Sequence, residues 1–395
     1  MKALTKMIRK YVGATYVASV LMGVGSTAAM AQEVINIGFS GPLSGGAALY
    51  GKNVLFGLES GVKDVNKEGI KIDGKTYTLN LVGLDDKYAP SETAVNGRRL
   101  VQENKANFIF VPHSGGTFAL QTFNTRSNFL ILSFSSLNAV LEKKNPLTVR
   151  IPEAYERYFP TYIKFQMEKY GKKLGIATTN SDYGRTFSKD FEAAWKNAGG
   201  EVVANNLMAY NTSADFYSGM GRVLAEKPDV LLIGGPSEPT ALVAKQAREL
   251  GFKGGFILTD QAKFNEMERV LGDYSILNGS VGVVPLIPEV RPESIPFMEE
   301  FAKNHPSVQG KAFSSDITLN YAMVRILAIA MELANSKDDL KAIMDKLDEA
   351  VKKLPPQYNP IQITGFKNGS LIYNSSVVLV EDGKLVRHAL VEEKK

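Results

Sequence analysis

The strongest constraint on this chain is the alternation of two hydrophobic periods, strand then helix, repeated almost without a break from residue 35 to residue 258. Residues 35–40 form a short β-rich run, 49–66 carry apolar residues at helical spacing, and 77–85 return to strand behind an Asp73-Gly74 turn. A helix over 90–103, a strand over 108–111, a helix over 118–126 and a strand over 130–134 follow. Strands separated by helices cannot pair as hairpins, so they lie parallel, with the helices covering both faces. The pattern predicts a doubly wound α/β unit.

The alternation restarts after Arg150-Ile151-Pro152. Helices over 155–170, 186–198, 214–226 and 240–250 alternate with strands over 173–178, 201–206, 230–233 and 255–258, predicting a second unit of similar size. The last third differs. A strand over 280–284 leads into helical stretches at 292–304, 313–334 and 338–352, then a hairpin of 370–380 and 384–390 turning at Glu381-Asp382-Gly383. Apolar helix faces need a sheet to cover, so these pieces are expected to return to the two units and make each discontinuous. The expected boundaries are 32–154 for the first part of lobe 1, 155–282 for lobe 2, 283–366 for a return to lobe 1, and 367–395 for a closing hairpin on lobe 2.

The amino terminus sets the compartment. Lys2, Lys6, Arg9 and Lys10 precede an uncharged run over 11–29, and Ala29-Met30-Ala31 has the small-x-small form of a signal-peptidase site, so residues 1–31 read as a cleaved signal peptide. Glycine, serine and threonine dilute that run below what a membrane anchor of about twenty apolar residues requires. Removing four basic residues and no acidic one takes the formal charge from +5 to +1, which leaves no basic surface pointing to nucleic acid. The chain has no cysteine, so neither disulfides nor a lipidated cysteine enter the reading. No later segment is expected to have transmembrane length; the most apolar, 321–334, carries Arg325 and Glu332. A freely soluble periplasmic monomer is expected.

In open α/β sheets ligands bind beyond the carboxyl ends of the strands. His113-Ser114-Gly115-Gly116-Thr117 occupies such an end. Ser114 and Thr117 bring hydroxyls, and the glycines let backbone N–H groups converge where a helix begins, an arrangement suited to a small carboxylate. Without Gly-Lys-Ser/Thr it is not a phosphate loop. Other strand ends add 40–46 with Tyr50, Ser133-Phe134-Ser135-Ser136, 180–184 with Tyr183, 234–237, and Asp260. Each alone is ordinary loop chemistry. Together they surround a site between two lobes.

The chain resembles the type I periplasmic binding proteins of the leucine/isoleucine/valine-binding class. The resemblance rests on "INIGFSGPLSGGAALYGKNVLFGLESGVKDVN", "LVGLDDKYAPSETAVNGRRLV", "HSGGT", "TVRIPEAY", "SDYGRTFSKDFEAAWKNAGGEVV" and "ADFYSGMGRVLAEKPDVLLIGG", spread over nearly the whole chain after residue 31. It implies two Rossmann-like lobes closing about a three-segment hinge, here near 152–156, 280–285 and 362–370, around a solute destined for the permease of an ABC importer. A branched-chain or other hydrophobic amino acid is the implied solute, with an aromatic or keto carboxylate or a small amide as the alternative. It further implies that Ser114, with Gly115 and Thr117 on the same turn, binds the carboxylate. Ser135 lies where a backbone carbonyl meets the ammonium, with Ser136 beside it as a further candidate, Tyr50 and Tyr183 line the cleft, and Asp260 pairs with the ammonium. Leu137 and Pro236 depart from the family, replacing a ligand-bonding threonine and an aromatic gate. His113 is expected to pack behind the turn. The chain has three histidines, and no zinc-protease or nucleophile-elbow motif accompanies them, so neither enzymatic chemistry nor a cofactor or metal is expected. A ligand-binding partner of a separate chemoreceptor is a further alternative.

Overall fold

The computed structural model describes residues 33–308 and 313–391; the expected signal peptide at 1–31 and the charged tail at 392–395 lie outside the described residues. Six strands come first: β1 (Glu33–Gly41), β2 (Ile70–Ile72), β3 (Lys75–Asp85), β4 (Phe108–Val111), β5 (Leu130–Ser133) and β6 (Thr148–Arg150). Five more follow: β7 (Lys173–Thr178), β8 (Glu201–Asn205), β9 (Val230–Gly234), β10 (Gly255–Leu258) and β11 (Ser280–Val283). The last four are β12 (Ile363–Lys367), β13 (Ser370–Tyr373), β14 (Ser376–Glu381) and β15 (Lys384–Ala389).

They assemble into two sheets, ordered β12-β13-β6-β5-β4-β1-β3-β2 and β15-β14-β11-β10-β9-β7-β8. Within each, five strands are parallel in the same order: β3-β1-β4-β5-β6 in the first and β8-β7-β9-β10-β11 in the second. Each sheet therefore reverses its winding beside its first strand, which opens a crevice at the carboxyl ends there. The chain is thus two doubly wound α/β lobes, as the alternating periods predict. Central strands such as Phe108–Val111 and Val230–Gly234 are buried along their whole length, as strands covered on both faces must be.

The return of the last third also holds, with one shift. The apolar run 370–380 is not one hairpin strand. It divides into β13, which pairs with β6 and β12 in the first sheet, and β14, which pairs with β11 and β15 in the second. Asn374 and Ser375 interrupt the run, and there the chain crosses between lobes, later than the expected hinge at 362–370 and the expected lobe boundary at 367. The other two crossings follow β6 and β11. A buried carboxylate ties the first crossing to the third: Glu153 accepts from Tyr373 N at 3.0 Å and from the Ser375 hydroxyl, while Glu153 N donates to Tyr373 Oη at 3.0 Å.

The helix Ser315–Ala334 corrects a second expectation, since its 20 residues are long and apolar enough to cross a membrane. Here 78% of its most apolar window is buried inside the lobe. It packs on α1 (Ala48–Glu68) so closely that a Cβ on Gly57 would lie 2.1 Å from the Ile317 carbonyl oxygen. Of its charges, Arg325 at mid-helix donates from Nη2 to Glu68 Oε1 at 3.0 Å and stands 3.6 Å over the Tyr358 ring, and Glu332 near its end accepts from Lys71 N at 2.8 Å.

Candidate functional site

The stretch 113–117 is the start of a helix. Besides α2 (Pro90–Gln102), the first lobe carries α3 (Ser114–Gln121), which begins four residues before the apolar spacing does. Its cap is His113, in extended conformation, whose Nδ1 accepts the Gly116 N–H at 3.0 Å. The ring proton then sits on Nε2 and is donated to Asp86 Oδ2 at 3.0 Å. His113 thus packs behind the turn, as expected, although one edge also reaches the cleft.

Asp85 and Asp86 hold this arrangement from below. Asp86 is fully buried and also accepts from the Ser40 and Thr93 hydroxyls at 3.0 and 2.9 Å. The side chains of Asp85 and Asp86 take the N–H groups of Lys87 (2.9 Å) and Tyr88 (3.0 Å), two residues held at φ 54° and 63°. Left-handed backbone is costly for an aromatic residue. The two carboxylates offset that cost and set the Tyr88 ring 4.7 Å from His113 at the cleft wall.

Between the lobes lies a cavity of about 70 Å³. On the first-lobe side it is lined by Ser114, Ser135 and Ser136, with Tyr50, Tyr88, Pro112 and Phe134 around them. The hydroxyls of all three serines are buried without a hydrogen-bond partner. A buried hydroxyl left unpaired costs on the order of 1–3 kcal/mol, and three together mark a wall built to hydrogen-bond something else. Tyr50 is fixed in place: its hydroxyl donates to the Pro112 carbonyl and lies 3.2 Å from that of Phe134. Burial raises its pKa well above the usual tyrosine value.

The second-lobe side is differently made. Tyr183 donates to Asp260 Oδ1 at 2.5 Å, and burial together with that carboxylate keeps its phenol protonated. Ser181 caps its helix by accepting the Gly184 N–H at 3.2 Å, and Ser237 donates to Glu266 Oε2 at 2.6 Å. Lys263, 5% exposed, donates to the Asp260 carbonyl at 2.5 Å and stands 3.3 Å from Asp316 Oδ1 across the cleft. Burial raises the Asp316 carboxyl above the ordinary carboxylate range, against the pull of Lys263.

The lobes meet over the cavity. Asn211 of the second lobe accepts from Gly46 N (2.9 Å) and Ala47 N (3.0 Å) and donates to the Lys87 carbonyl (3.1 Å). Asn53 of α1 donates to Glu266 Oε1 at 2.8 Å, and Gln261 donates to Tyr88 Oη at 3.1 Å. These contacts describe a closed cleft.

Of the residues singled out in the sequence, Tyr50, Ser114, Ser135, Ser136, Tyr183 and Asp260 line this one cavity. Three do not. The Thr117 hydroxyl is turned inward, 3.1 Å from the His113 carbonyl and 2.7 Å from Ser133 Oγ, because a residue one turn into a helix points back along it. Leu137 is fully buried in the apolar core beneath the second lobe. Gly115 opens onto a side groove with Asp182 and Arg185. Pro236 also stays off the cavity, starting the helix Ser237–Glu249. Sequence reasoning missed Tyr88, Tyr158, Lys263, Arg291 and Tyr373. Tyr88 and Lys263 lie in the loops after β3 and β10, Tyr158 and Tyr373 flank the crossings, and Arg291 is on the return segment, and none stands out by hydrophobic periodicity. Among the described residues no cluster of three or more His, Asp or Glu could hold a metal ion.

A family model described as periplasmic binding protein matches residues 34–384. A Leu/Ile/Val-binding protein from Rhizobium johnstonii is 27% identical over 96% of this chain and 99% of its own. An amino acid binding protein from Pseudomonas aeruginosa is 25% identical over 98% of this chain and 99% of its own. Among solved structures, a substrate-binding protein from Streptococcus pneumoniae in complex with isoleucine shares the fold at a TM-score of 0.72, with 20% identity, covering 91% of this chain and 99% of that one. A solute-binding protein from Rhodopseudomonas palustris in complex with 4-hydroxybenzoate does so at 0.74, with 20% identity, covering 90% and 96%.

Proposed function

Because the chain belongs to the periplasmic binding protein family, whose members bind small solutes and work with ABC-importer permeases, we propose that it captures a carboxylate-bearing solute of the amino-acid type between its lobes. The observation that carries this reading is the wall of three unpartnered serine hydroxyls, Ser114, Ser135 and Ser136, facing Asp260 across one cavity. A carboxylate accepts from the Ser114 hydroxyl at the start of α3, where the helix dipole favours an anion and the N–H groups ahead of Gly116 are not taken by His113. An ammonium meets the Asp260 carboxylate, whose Oδ1 is already oriented by Tyr183. Phe134, Val284, Leu286, Leu319 and Ile361 give the solute's body an apolar surround.

Branched-chain and other hydrophobic amino acids, the solutes named for several relatives, are the first to try. A second reading, an aromatic or keto carboxylate without an ammonium, is favoured by the tyrosines around the cleft, Tyr50, Tyr88, Tyr158, Tyr183 and Tyr373. Capture involves no chemistry: closure buries the solute and joins the two lobe surfaces that the permease reads, so the apparent affinity includes the free energy of closing.

A thermal-shift screen of the protein, unfolded and refolded to strip retained solute, tests this. A solute at about a hundred times its dissociation constant stabilises by roughly 2.7 kcal/mol, a shift of a few degrees for a protein of this size. A shift with leucine or valine supports the amino-acid reading, and a shift with keto or aromatic carboxylates alone supports the second. No shift with any carboxylate sinks both.

A further inference from the structure

Arg291 lies beyond β11, in the loop that returns the chain to the first lobe, and is 5% exposed. It lines the cavity, and its Nε is buried without a hydrogen-bond partner. Its ion-pair contact is a long one, Nη1 to Glu293 Oε1 at 3.7 Å. That carboxylate is already engaged: Glu293 Oε1 accepts from Arg387 Nη1 at 2.7 Å. Arg387 is further satisfied by Ser376 Oγ at 2.8 Å and the Val290 carbonyl at 3.0 Å. Two guanidinium groups thus share one carboxylate, and Arg291 has the poorer share. Burial and the neighbouring Arg387 lower its pKa, while Glu293 only partly restores it. An under-paired buried guanidinium is costly unless an anion completes it.

Its place in the cleft separates it from the serine wall. Arg291 stands with Tyr158 and Tyr373, which flank the first and third crossings, on the hinge side of the cavity. Ser114 and Ser135 belong to first-lobe strand ends, and Asp260 to a second-lobe strand end. The cavity therefore presents hydrogen-bond donors on one wall, a carboxylate on the facing lobe and a guanidinium at the hinge, with Leu286, Leu319 and Ile361 among the apolar lining.

We propose that Arg291 receives a second acidic group of the solute, so that the protein selects amino dicarboxylates with a short apolar stem over amino acids with one carboxylate. This rests on the carboxylate reading given above. The planar fork of a guanidinium matches a carboxylate with two parallel N–H···O bonds, which a serine wall does not provide.

The test is isothermal titration of the refolded full chain with length-matched pairs, norvaline against glutamate and norleucine against 2-aminoadipate. The same titrations are run on R291Q and R291K. The diacid of each pair is expected to bind about tenfold to a hundredfold tighter than its monoacid. R291Q should bring the diacid's affinity down to that of its monoacid, and R291K should restore part of the preference. Monoacids binding as tightly as diacids, or R291Q weakening both in parallel, would overturn the role of Arg291 and leave the carboxylate reading standing. Binding of neither class to the wild type overturns both. Should R291Q fail to fold, the wild-type preference and R291K decide the matter.

Discussion

The two lobes share a strand order but spend their polar groups differently. In the first lobe Ser114, Ser135 and Ser136 reach the cleft with hydroxyls that nothing in the protein uses. In the second, Ser181 caps a helix, Ser237 serves Glu266, and Tyr183 serves Asp260. One lobe keeps hydrogen-bonding capacity for a guest, while the other uses its capacity to hold its own cleft loops in place. The same topology thus yields a wall of free hydroxyls and a facing wall whose hydroxyls are engaged, with Asp260 left to meet the solute.

The closing role is most exposed at Lys263. Its partner Asp316 sits in the first lobe, so the pair exists only with the cleft closed. Lys263→Met is expected to remove that pair, and the Asp316 carboxyl, already raised by burial, takes up a proton on closing, which holds the cost to about 1–3 kcal/mol. Apparent solute affinity should fall by that amount, and small-angle scattering with saturating solute should show a more open molecule. Adding Asp316→Asn should recover most of the loss. Unchanged affinity in Lys263→Met would mean that the second lobe closes without this contact.

The lobes also differ in how far apart their pieces lie in the chain. The first needs its return segment, and Asp64 is a stitch: it accepts from Lys67 (2.8 Å), His305 (2.9 Å) and Tyr321 (2.9 Å), joining α1 to two distant elements. Burial alone would push its carboxyl up, but the His305 and Lys67 hydrogen bonds outweigh it and hold the group well below the ordinary range. A depressed carboxylate contributes stability that is fully present above its unfolded pKa and is lost as pH falls through the folded one. The first lobe should therefore weaken below about pH 4. The sole tryptophan, Trp195, is buried in the second lobe, so its fluorescence reports that lobe while far-ultraviolet dichroism reports both. On acidification the dichroism should change first. Asp64→Asn should cost about 2 kcal/mol at neutral pH and flatten the acid limb. Simultaneous changes in both signals would remove the asymmetry.

How much of this was legible in the sequence follows from where each residue sits. The strands were readable because buried parallel strands are continuous apolar runs. Three helices start earlier than their apolar spacing: Ser114 against 118, Asp182 against 186, and Ser237 against 240. Their first turns, Ser-Gly-Gly-Thr, Asp-Tyr-Gly-Arg and Ser-Glu-Pro, face the cleft or its rim instead of the core, so they lack the period that marks a helix. The same property that hid the helix starts marks the site. Arg291 and Tyr373 stayed hidden for another reason. They reach the cavity from crossings between lobes, and which crossing segment faces a cleft depends on how two distant sheets are placed.

The finest division between the lobes is a pair of serines at helix starts: Ser114 opens α3 after β4, and Ser181 caps the helix Asp182–Asn197 after β7. Ser114→Ala removes a hydroxyl that no protein group uses, so the fold should lose little, while affinity for a carboxylate falls by about 1.5–3 kcal/mol through one charge-assisted hydrogen bond. Ser181→Ala removes a helix cap, so stability should fall by about 1 kcal/mol with affinity nearly unchanged. Measuring melting temperature and titrated affinity on both variants sets the two effects side by side. The expected result is a crossed one: each substitution moves one quantity and spares the other. If Ser181→Ala cost affinity as much as Ser114→Ala did, the Ser181 hydroxyl would be serving the solute as well as its helix, and the division between free and engaged hydroxyls would fail at these two helix starts.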